Sequence, residues 1–361
     1  MAKRKPGLSK KKVTMQQVAR RANASLSSVS RVLHSYPGIH PELRERIGQA
    51  IQELGYSPSA GKQRWIKPDK RLIYFLLVNR ELHINPYSRI LQAIERETNR
   101  RGDLLIYKSF RLNPDLPAKD LSTAGLVELQ ANTVGSPTGA ILTGPTFPNL
   151  LEALEELAVP FVLLGNNFSG SKPPETDAVF FDGYQGAYES TRYLIDLGHR
   201  NILFIGDPTI GWFSSIYQGY ADALSQANLA PIAQTKTLSD SFYSNGYFSV
   251  QMAFEQDNSI TAIFAGCDEI ALGASKALND RDLSVPRDVS LIGFDDEDYA
   301  SFTVPPLSTV RIDVEAIGRE LITLLYAKFD HPERTFPAVR LPSNLIKRGT
   351  CRPAQVLSEA R

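Results

Sequence analysis

The chain has 361 residues, of which 42% are hydrophobic, and its formal net charge at pH 7 is +1. This length is too great for one ordinary core and predicts two or three packed units, and no apolar run is long enough to span a membrane. The charged start MAKRKPGLSKKK lacks the apolar stretch of a signal peptide, and the two cysteines predict neither a disulfide framework nor a zinc site. A reducing cytoplasm is therefore the expected compartment.

The charge is unevenly distributed along the chain. Residues 1–71 hold 16 Lys and Arg against 4 Asp and Glu, whereas residues 72–361 hold 24 against 35. A basic segment joined to an acidic body is typical of a polyanion-binding module attached to another domain. A solvated charge run accounts for residues 3–12, but not for the arginines in the amphipathic stretch behind them. The pattern therefore predicts nucleic-acid binding.

Two short helices follow the basic tail. Thr14 is a suitable N-cap for a helix in TMQQVARRA, and Asn23 suits the left-handed residue of a turn. Ser25 can then cap a second helix, LSSVSRVL, whose spacing predicts that Leu26, Val29 and Leu33 are buried.

A third amphipathic helix begins at Pro41 and stops at Gly55. Two short helices with a tight turn, braced by a third, form a helix-turn-helix, and the second helix enters the major groove. Its early exposed side chains, Ser27, Ser28 and Arg31, are the predicted base contacts, with a phosphate contact as the alternative for Arg31. The predicted phosphate contacts are Thr14, Arg20, Arg21, Tyr36 and His40.

The stretches VTMQQVARRANASLSSVSRVLHS and ELRERIGQAIQELGYSPS resemble the N-terminal signature of the lactose-repressor/galactose-repressor family of transcription regulators. The resemblance implies binding to a double-stranded operator by a homodimer, with a small-molecule effector as the second partner and no cofactor, metal or membrane. In the turn, Asn23-Ala24-Ser25 stands where the family usually has Gly-Val-Ser. Asn tolerates a left-handed backbone, so the turn is expected to persist.

The hinge departs further from the family pattern. The resemblance implies a short helix after Tyr56 and Pro58, with a leucine that wedges into the minor groove. Here Gly61 interrupts that helix and Trp65 stands at the leucine position, either as a flat wedge or packed on the body. The predicted hinge and minor-groove residues are Ser59, Lys62, Arg64 and Trp65.

Beyond residue 70 short apolar runs alternate with amphipathic stretches. Strands are predicted at 72–78, 103–107, 139–143, 160–164, 201–205, 261–265 and 289–294. Helices are predicted at 87–101, 149–157, 183–197, 216–228, 244–255, 268–280 and 313–328. Two parallel-sheet lobes follow from the length of this body, and a ligand would lie beyond the carboxyl ends of their strands.

The resemblance continues through GAYESTRYLIDLGHRNILFIGDP and CDEIALGASKALNDRDLSVPRDVSLIGFDD. It implies an all-α helix-turn-helix head on an α/β, periplasmic-binding-protein-like core that dimerises. The expected domains are a basic tail (1–12), the head (13–57), a hinge (58–70), the two-lobed body (71–348) and a tail (349–361). Lobe 1 is expected at 71–165 plus a returning segment at 300–330, and lobe 2 at 166–299 plus the C-terminal strand.

Carried over by position, the effector site comprises Asn85, Pro86, Tyr87, Asn166, Trp212, Phe213, Ile216, Phe242, Asp268 and Asp295. The two carboxylates can accept bonds from sugar hydroxyls, although Asp268 can equally cap its helix. Three positions lack the polar residue frequent in the family: Ile216 replaces an arginine, Cys267 an asparagine and Gly165 an aspartate. Aromatic residues suit sugar stacking or an ordinary core, so either the effector is unusual or the pocket is vestigial.

Three other functions each fit part of the sequence. The carboxylates of DDEDY (295–299) suit catalysis or metal binding, but a polar loop after an apolar strand is more often solvated, and catalytic motifs are lacking. An exported sugar-binding protein fits the body but not the head. An architectural DNA-binding protein would ignore small molecules. The prediction is a non-enzymatic regulator, most simply a repressor, located in the cytoplasm with the nucleoid and responding to a sugar-like effector.

Overall fold

The computed structural model describes residues 14–33, 40–54, 70–82, 86–121, 126, 138–170, 174–239 and 241–354. These residues fall into two compact units, divided between Pro68 and Asp69. The first unit is a small helical head, and the second is an α/β body.

The head consists of helices α1 (Met15–Arg21), α2 (Leu26–Leu33) and α3 (Pro41–Leu54). Their apolar faces meet in a core formed by Val18, Ala19, Ala22, Val29, Ile47 and Ala50. The expected burial of Leu26 is wrong, because 46% of this residue is exposed. At the first position of α2 its side chain points away from the core that Val29 enters, one turn later.

The body contains two six-stranded sheets. The first has the order β11-β5-β4-β3-β1-β2, and all of its strands are parallel. These strands are β1 (Leu72–Val78), β2 (Leu104–Phe110), β3 (Thr138–Thr143), β4 (Phe161–Leu164), β5 (Ala178–Phe181) and β11 (Val339–Leu341). Every residue of β1 and β3 is buried, as expected for inner strands covered on both faces.

The second sheet has the order β12-β10-β9-β8-β6-β7 and is parallel except for the β10–β12 pair. Its strands are β6 (Ile202–Ile205), β7 (Ile232–Gln234), β8 (Ala262–Ala265), β9 (Ser290–Asp295), β10 (Ser308–Ile312) and β12 (Ser343–Ile346). The two sheets define two lobes, as the length and strand pattern predicted.

Helices cover the faces of both sheets. They are α4 (Tyr87–Arg101), α5 (Ala118–Leu121), α6 (Pro148–Glu156), α7 (Gly183–Asp196), α8 (Gly211–Gln226), α9 (Phe242–Gln256), α10 (Asp268–Asn279) and α11 (Val314–Asp330). In the first lobe α4 packs against α11, and in the second α7 packs against α8 and α9 against α10. This cover explains why the inner strands carry apolar side chains at successive positions.

The chain crosses between the lobes three times: after β5, after β10 and between β11 and β12. The expected lobe boundaries therefore need correction, because lobe 1 extends beyond residue 165 to β5. Its returning segment comprises α11 and β11 rather than residues 300–330. The short run AVFF of β5 and the polar alternation STVRI of β10 gave too little signal to assign either strand to its sheet.

Helix α8 begins at Gly211, five residues before its predicted start. A side chain at this position would meet the main chain of the first lobe, since a Cβ on Gly211 would lie 2.8 Å from the carbonyl oxygen of Asn166. Glycine thus lets the amino-terminal end of α8, with Trp212 and Phe213, approach the first lobe.

Candidate functional site

The first helix of the head has a reciprocal cap. The amide of Gln17 donates to the Thr14 hydroxyl at 3.4 Å, and the amide of Thr14 donates to the Gln17 side-chain oxygen at 2.7 Å. Asn23 adopts a φ of 46° at the turn, as its position in the sequence predicted. Thr14 remains exposed, so a phosphate contact there stays a prediction alongside its capping role.

Three serines occupy the start of the second helix. The Ser28 amide donates to the Ser25 hydroxyl at 3.0 Å, and that hydroxyl lies 2.8 Å from the Ser27 hydroxyl. Ser27 is exposed and Ser28 is half-buried. Arg31 lies on the same helix, although its side chain is outside the described residues. The predicted base contacts therefore share one helix.

Two arginines brace the head internally. Arg21, a predicted phosphate contact, pairs with Glu53 at 2.5 Å and ties α1 to α3. Arg46 donates to the carbonyl oxygens of Ala22 (3.3 Å) and Asn23 (3.2 Å), which end α1 and form the turn. Sequence reasoning missed the bracing role of Arg46, because an arginine on an exposed helical face usually indicates solvent or nucleic acid.

The remaining predicted DNA contacts differ in how far the structure describes them. Arg20 is exposed, and His40 is exposed 4.0 Å from Glu42 at the start of α3. Tyr36 and the hinge residues Ser59, Lys62, Arg64 and Trp65 lie outside the described residues. Their roles stay predictions.

The second candidate site lies at the carboxyl ends of the strands, where the two lobes face each other. Asn85 is outside the described residues, and Pro86 precedes α4 without making a side-chain cap. Tyr87 is buried, and its hydroxyl accepts from the Asn167 amide at 3.4 Å. Burial raises the pKa of Tyr87 to about 12, so at neutral pH it presents an uncharged hydroxyl.

The loop after β4 makes its side-chain hydrogen bonds within the first lobe. The Asn166 amide donates to the Phe181 carbonyl at 3.0 Å and its oxygen accepts from the Phe181 amide at 2.9 Å, so both ends serve the main chain of β5. At Gly165 a Cβ would lie 2.1 Å from the Phe180 ring. The ring explains why this chain lacks the aspartate that is frequent in the family.

The second lobe contributes an aromatic cluster. The ring centroids of Phe213 and Phe242 are 5.7 Å apart, and Phe242 lies edge-on to Trp212 at 6.4 Å. Phe213 and Ile216 are each only 1% exposed, so both belong to the core of this lobe. A cavity of about 10 Å³ beside Phe213 and Phe242 has room for about one water molecule.

Asp268 organises the edge of the second sheet. Its carboxylate accepts from the Glu297 amide at 2.8 Å and from the Thr309 hydroxyl at 2.5 Å, which joins α10 to the loop after β9 and to β10. The alternative that Asp268 caps its helix is wrong, since Cys267 occupies the cap position without a side-chain cap bond. Burial raises the pKa of Asp268 to about 7.

Asp295, at the end of β9, is half-buried and adopts a φ of 110°, which residues other than glycine rarely do. Burial, together with Asp268 and Glu297, raises the pKa of Asp295 well above its usual range. Within the described part of the chain, its carboxylate accepts no hydrogen bond and forms no ion pair. A strained backbone and an unpartnered acceptor are typical of a functional position.

Arg80 is the residue of this cleft that sequence reasoning missed. It follows β1, and its guanidinium carbon lies 5.4 Å from the centroid of the Trp212 ring in the other lobe. It also lies beside the Tyr87 hydroxyl. A lone arginine after a strand carries no motif, so only the fold reveals its position.

Two other carboxylates of DDEDY (295–299), those of Asp296 and Glu297, lie within the folded protein. Asp296 accepts from Arg311 and Arg348, each at 2.6 Å, and Glu297 is buried. Among the residues that the structure describes, no group of three or more His, Cys, Asp and Glu side chains is placed to hold a metal ion. No helix in the described ranges is both long and apolar enough to cross a membrane.

Comparisons with known proteins match both units. Residues 14–59 match the model of bacterial regulatory proteins of the lacI family, and residues 191–351 match a periplasmic binding protein-like domain. Catabolite control protein A of Priestia megaterium is 29% identical over 320 residues, which cover 86% of this chain and 92% of that protein. The transcriptional repressor PurR of Klebsiella pneumoniae is 27% identical over 338 residues, covering 93% and 96%.

Solved structures of similar proteins cover the chain equally well. A complex of the transcriptional regulator CelR with cellobiose is 25% identical, with a TM-score of 0.67 over 94% of this chain and 100% of that one. A Lac repressor dimer bound to operator and the anti-inducer ONPF is 24% identical, with a TM-score of 0.68 over 95% and 100%. At 24% identity, the likeness to the Lac repressor supports the fold of this chain alone.

A helix-turn-helix head followed by a two-lobed, periplasmic-binding-protein-like body defines a DNA-binding transcription regulator. The head of this chain, residues 14–59, belongs to the lacI family of bacterial regulatory proteins, and the chain as a whole is similar to regulators of that kind.

Proposed function

We propose that this protein is a sequence-specific repressor whose affinity for its operator is controlled by a small molecule bound between the two lobes. The observation that supports this most strongly is the combination, in one chain, of a capped helix-turn-helix with a two-lobed body whose lobes face each other across polar and aromatic side chains. Because its target is DNA, the protein acts in the cytoplasm with the nucleoid.

In the head, α2 is the helix that reads the operator. Its first turns carry Ser27, Ser28 and Arg31, and arginine makes the commonest specific contact, a bidentate bond to guanine. Around them, Arg20, Tyr36 and His40 contact phosphates and fix the orientation of the head on the duplex. Thr14 and Arg21 join them while retaining their internal bonds.

The active species is a homodimer, which presents two α2 helices to half-sites about one helical turn apart. Apolar side chains exposed on the second lobe support this assembly: Phe302 is 80% exposed and Val304 97%, and Tyr243 and Phe248 are 39% and 48% exposed. Phe302 and Val304 are two residues apart in the chain, and an exposed apolar pair of this kind suits a surface that a second subunit covers.

The effector lies between Tyr87 of the first lobe and Trp212 and Asp295 of the second. It is sugar-like, because aromatic faces stack on sugar rings and the Asp295 carboxylate, which has no donor among the described residues, accepts bonds from hydroxyl groups. It acts only through different affinities for the DNA-binding and free states of the dimer. Whether it releases or recruits the protein is decided by which state binds it more tightly.

The test is a selection of DNA from a random pool by the purified full-length protein, with and without a panel of sugars and sugar derivatives. A recovered palindrome of about 14–20 base pairs identifies a dimeric, sequence-specific regulator. A compound that abolishes or enhances recovery identifies the effector class. Binding that has no preferred sequence and only weakens with salt would contradict the proposal and indicate an architectural protein. Recovery that ignores every compound would indicate a vestigial pocket.

A further inference from the structure

Arg80 is positioned to bind a ligand rather than to stabilise a lobe. It follows β1 at the carboxyl edge of the first sheet and is half-buried. Its guanidinium reaches the face of Trp212, at the start of α8 in the second lobe, and the hydroxyl of Tyr87 in its own lobe. Among the described residues, these contacts leave most of its five N–H donors without an acceptor.

The surroundings of the Arg80 guanidinium determine whether its charge is neutralised. Among the residues that the structure describes, no carboxylate lies within 4.0 Å of its guanidinium. The adjacent carboxylate, Glu81, pairs instead with Arg111 at 3.6 Å. Two other half-buried arginines of the body have carboxylate partners: Arg71 pairs with Asp330 at 3.0 Å and Arg348 with Asp296 at 2.6 Å. Arg281, also half-buried, instead donates to the side chain of Gln251 at 2.8 Å.

A half-buried guanidinium without a counter-ion retains a desolvation cost that a bound anion would offset. Its planar fork of donors matches the two oxygens of a carboxylate or a phosphate. The opposite wall carries Asp295, which has acceptors and no donor partner in the described residues. A ligand that satisfies both walls needs an anionic group at one end and hydroxyl groups at the other.

We propose that the effector is an organic anion, a sugar acid or a sugar phosphate, whose anionic group is bound by Arg80. Its hydroxyl groups face Asp295, and Trp212 covers its ring. This inference rests on the proposed effector site. The aromatic lining alone suggests a neutral sugar. A neutral sugar would leave the Arg80 charge without an anionic partner, so we infer a charged one.

The experiment uses the full-length protein and matched probes that differ in charge: D-glucose, D-gluconate and D-glucose 6-phosphate, and D-galactose, D-galacturonate and D-galactose 1-phosphate. Affinities are measured by isothermal titration calorimetry at low ionic strength, where charge pairing is least screened. We expect at least one acid or phosphate to bind tenfold or more tightly than its neutral counterpart. The comparison of acid with phosphate identifies which anionic group is preferred.

Two variants connect this preference to Arg80. Arg80→Gln should weaken binding of the preferred anion at least tenfold, to the level of the neutral sugar. Arg111→Gln removes an arginine whose side chain is 74% exposed, close to the same edge of the first lobe, and should leave the affinity unchanged. Anion binding that survives Arg80→Gln overturns the inference, as does equal or tighter binding of the neutral sugars, or a panel in which no anion binds.

Operator binding by the same preparation distinguishes failure of the anionic effector from failure of the proposed repressor function. If Arg80→Gln abolishes the anion preference while the protein still selects a palindrome, both conclusions hold. If operator binding is intact and every anion fails, the regulator remains and the anionic effector is rejected. Loss of sequence-specific DNA binding by the wild-type protein would reject the proposed function itself.

Discussion

The head and the body use their predicted functional residues in different ways. In the head, Ser27 and Arg20 are exposed, while the core rests on apolar side chains such as Val18 and Ile47. In the body, Asn166 and Asp268 are bonded to their own protein and Phe213 lies in the core. Substitutions of the exposed head residues should therefore change DNA affinity, and substitutions of these bonded or buried body residues should change folding stability.

The largest expected effect is on Asp268. Asp268→Ala removes the acceptor of the Glu297 amide and the Thr309 hydroxyl, both buried, and should lower the free energy of unfolding by about 3–5 kcal/mol. Urea unfolding followed by circular dichroism measures this loss. Asp257→Ala is the control and should cost less than about 1 kcal/mol, because this half-buried carboxylate bonds only Ser259 among the described residues. Equal losses would mean that Asp268 does not hold the second lobe.

A second substitution restores the residue that the family often has. Gly165→Asp should destabilise the body by about 2–3 kcal/mol, because its Cβ must displace the Phe180 ring from a distance of 2.1 Å. Gly48→Ala, in open space within α3, is the matched glycine control and should raise stability by about 0.5–1 kcal/mol. A Gly165→Asp protein as stable as the wild type would show that Phe180 moves freely.

A third substitution, in the head, should change DNA affinity and leave folding stability unchanged. Arg31→Ala should weaken specific DNA binding by about 1–3 kcal/mol while leaving urea unfolding unchanged. Fluorescence anisotropy with the selected palindrome and with a scrambled duplex measures the difference. An equal loss on both duplexes would make Arg31 a phosphate contact, and a loss of stability would break the contrast between head and body.

The smallest effect is a pH dependence of the body. His199 is 2% exposed, and burial lowers the pKa of its imidazole. The unfolded chain thus takes up a proton at a higher pH than the folded one, so this contribution to stability is complete above about pH 6.5 and is lost as pH falls below it. The slope is at most about 1.4 kcal/mol per pH unit for one proton.

His199→Gln should flatten the fall of stability between about pH 6.5 and 5, as measured by unfolding at several pH values. His331→Gln, at an exposed position after α11, should leave that fall unchanged. The same slope in both variants would remove His199 as its source.

Much of the fold could be predicted because the strongest elements repeat a pattern over many residues. The runs of β1 and α4 have the predicted bounds, and the turn at Asn23 follows from the residue itself. Strands β7 and β11 have three residues each, too few for any period to appear. The lobe boundaries failed for a related reason, because sheet membership depends on contacts between segments distant in sequence.

The candidate site was predicted unevenly. Position in a family pattern made Tyr87 and Asp295 candidates, which they remain, but could not reveal that Asn166 is bonded to Phe181 or that Asp268 holds a loop. Arg80 was missed because its role depends on Trp212, 132 positions later in the chain. A charge becomes informative only when the fold shows whether a carboxylate lies beside it.

The three crossings between the lobes also determine when each sheet of the body is completed during synthesis. The first sheet lacks its edge strand until residues 339–341 emerge from the ribosome, and the second waits for residues 343–346. His199 then holds the last described segment through the Arg352 carbonyl at 3.0 Å. A nascent chain therefore completes its head some 290 residues before its sensor, and a truncated product would carry a DNA-binding module with no means of being switched.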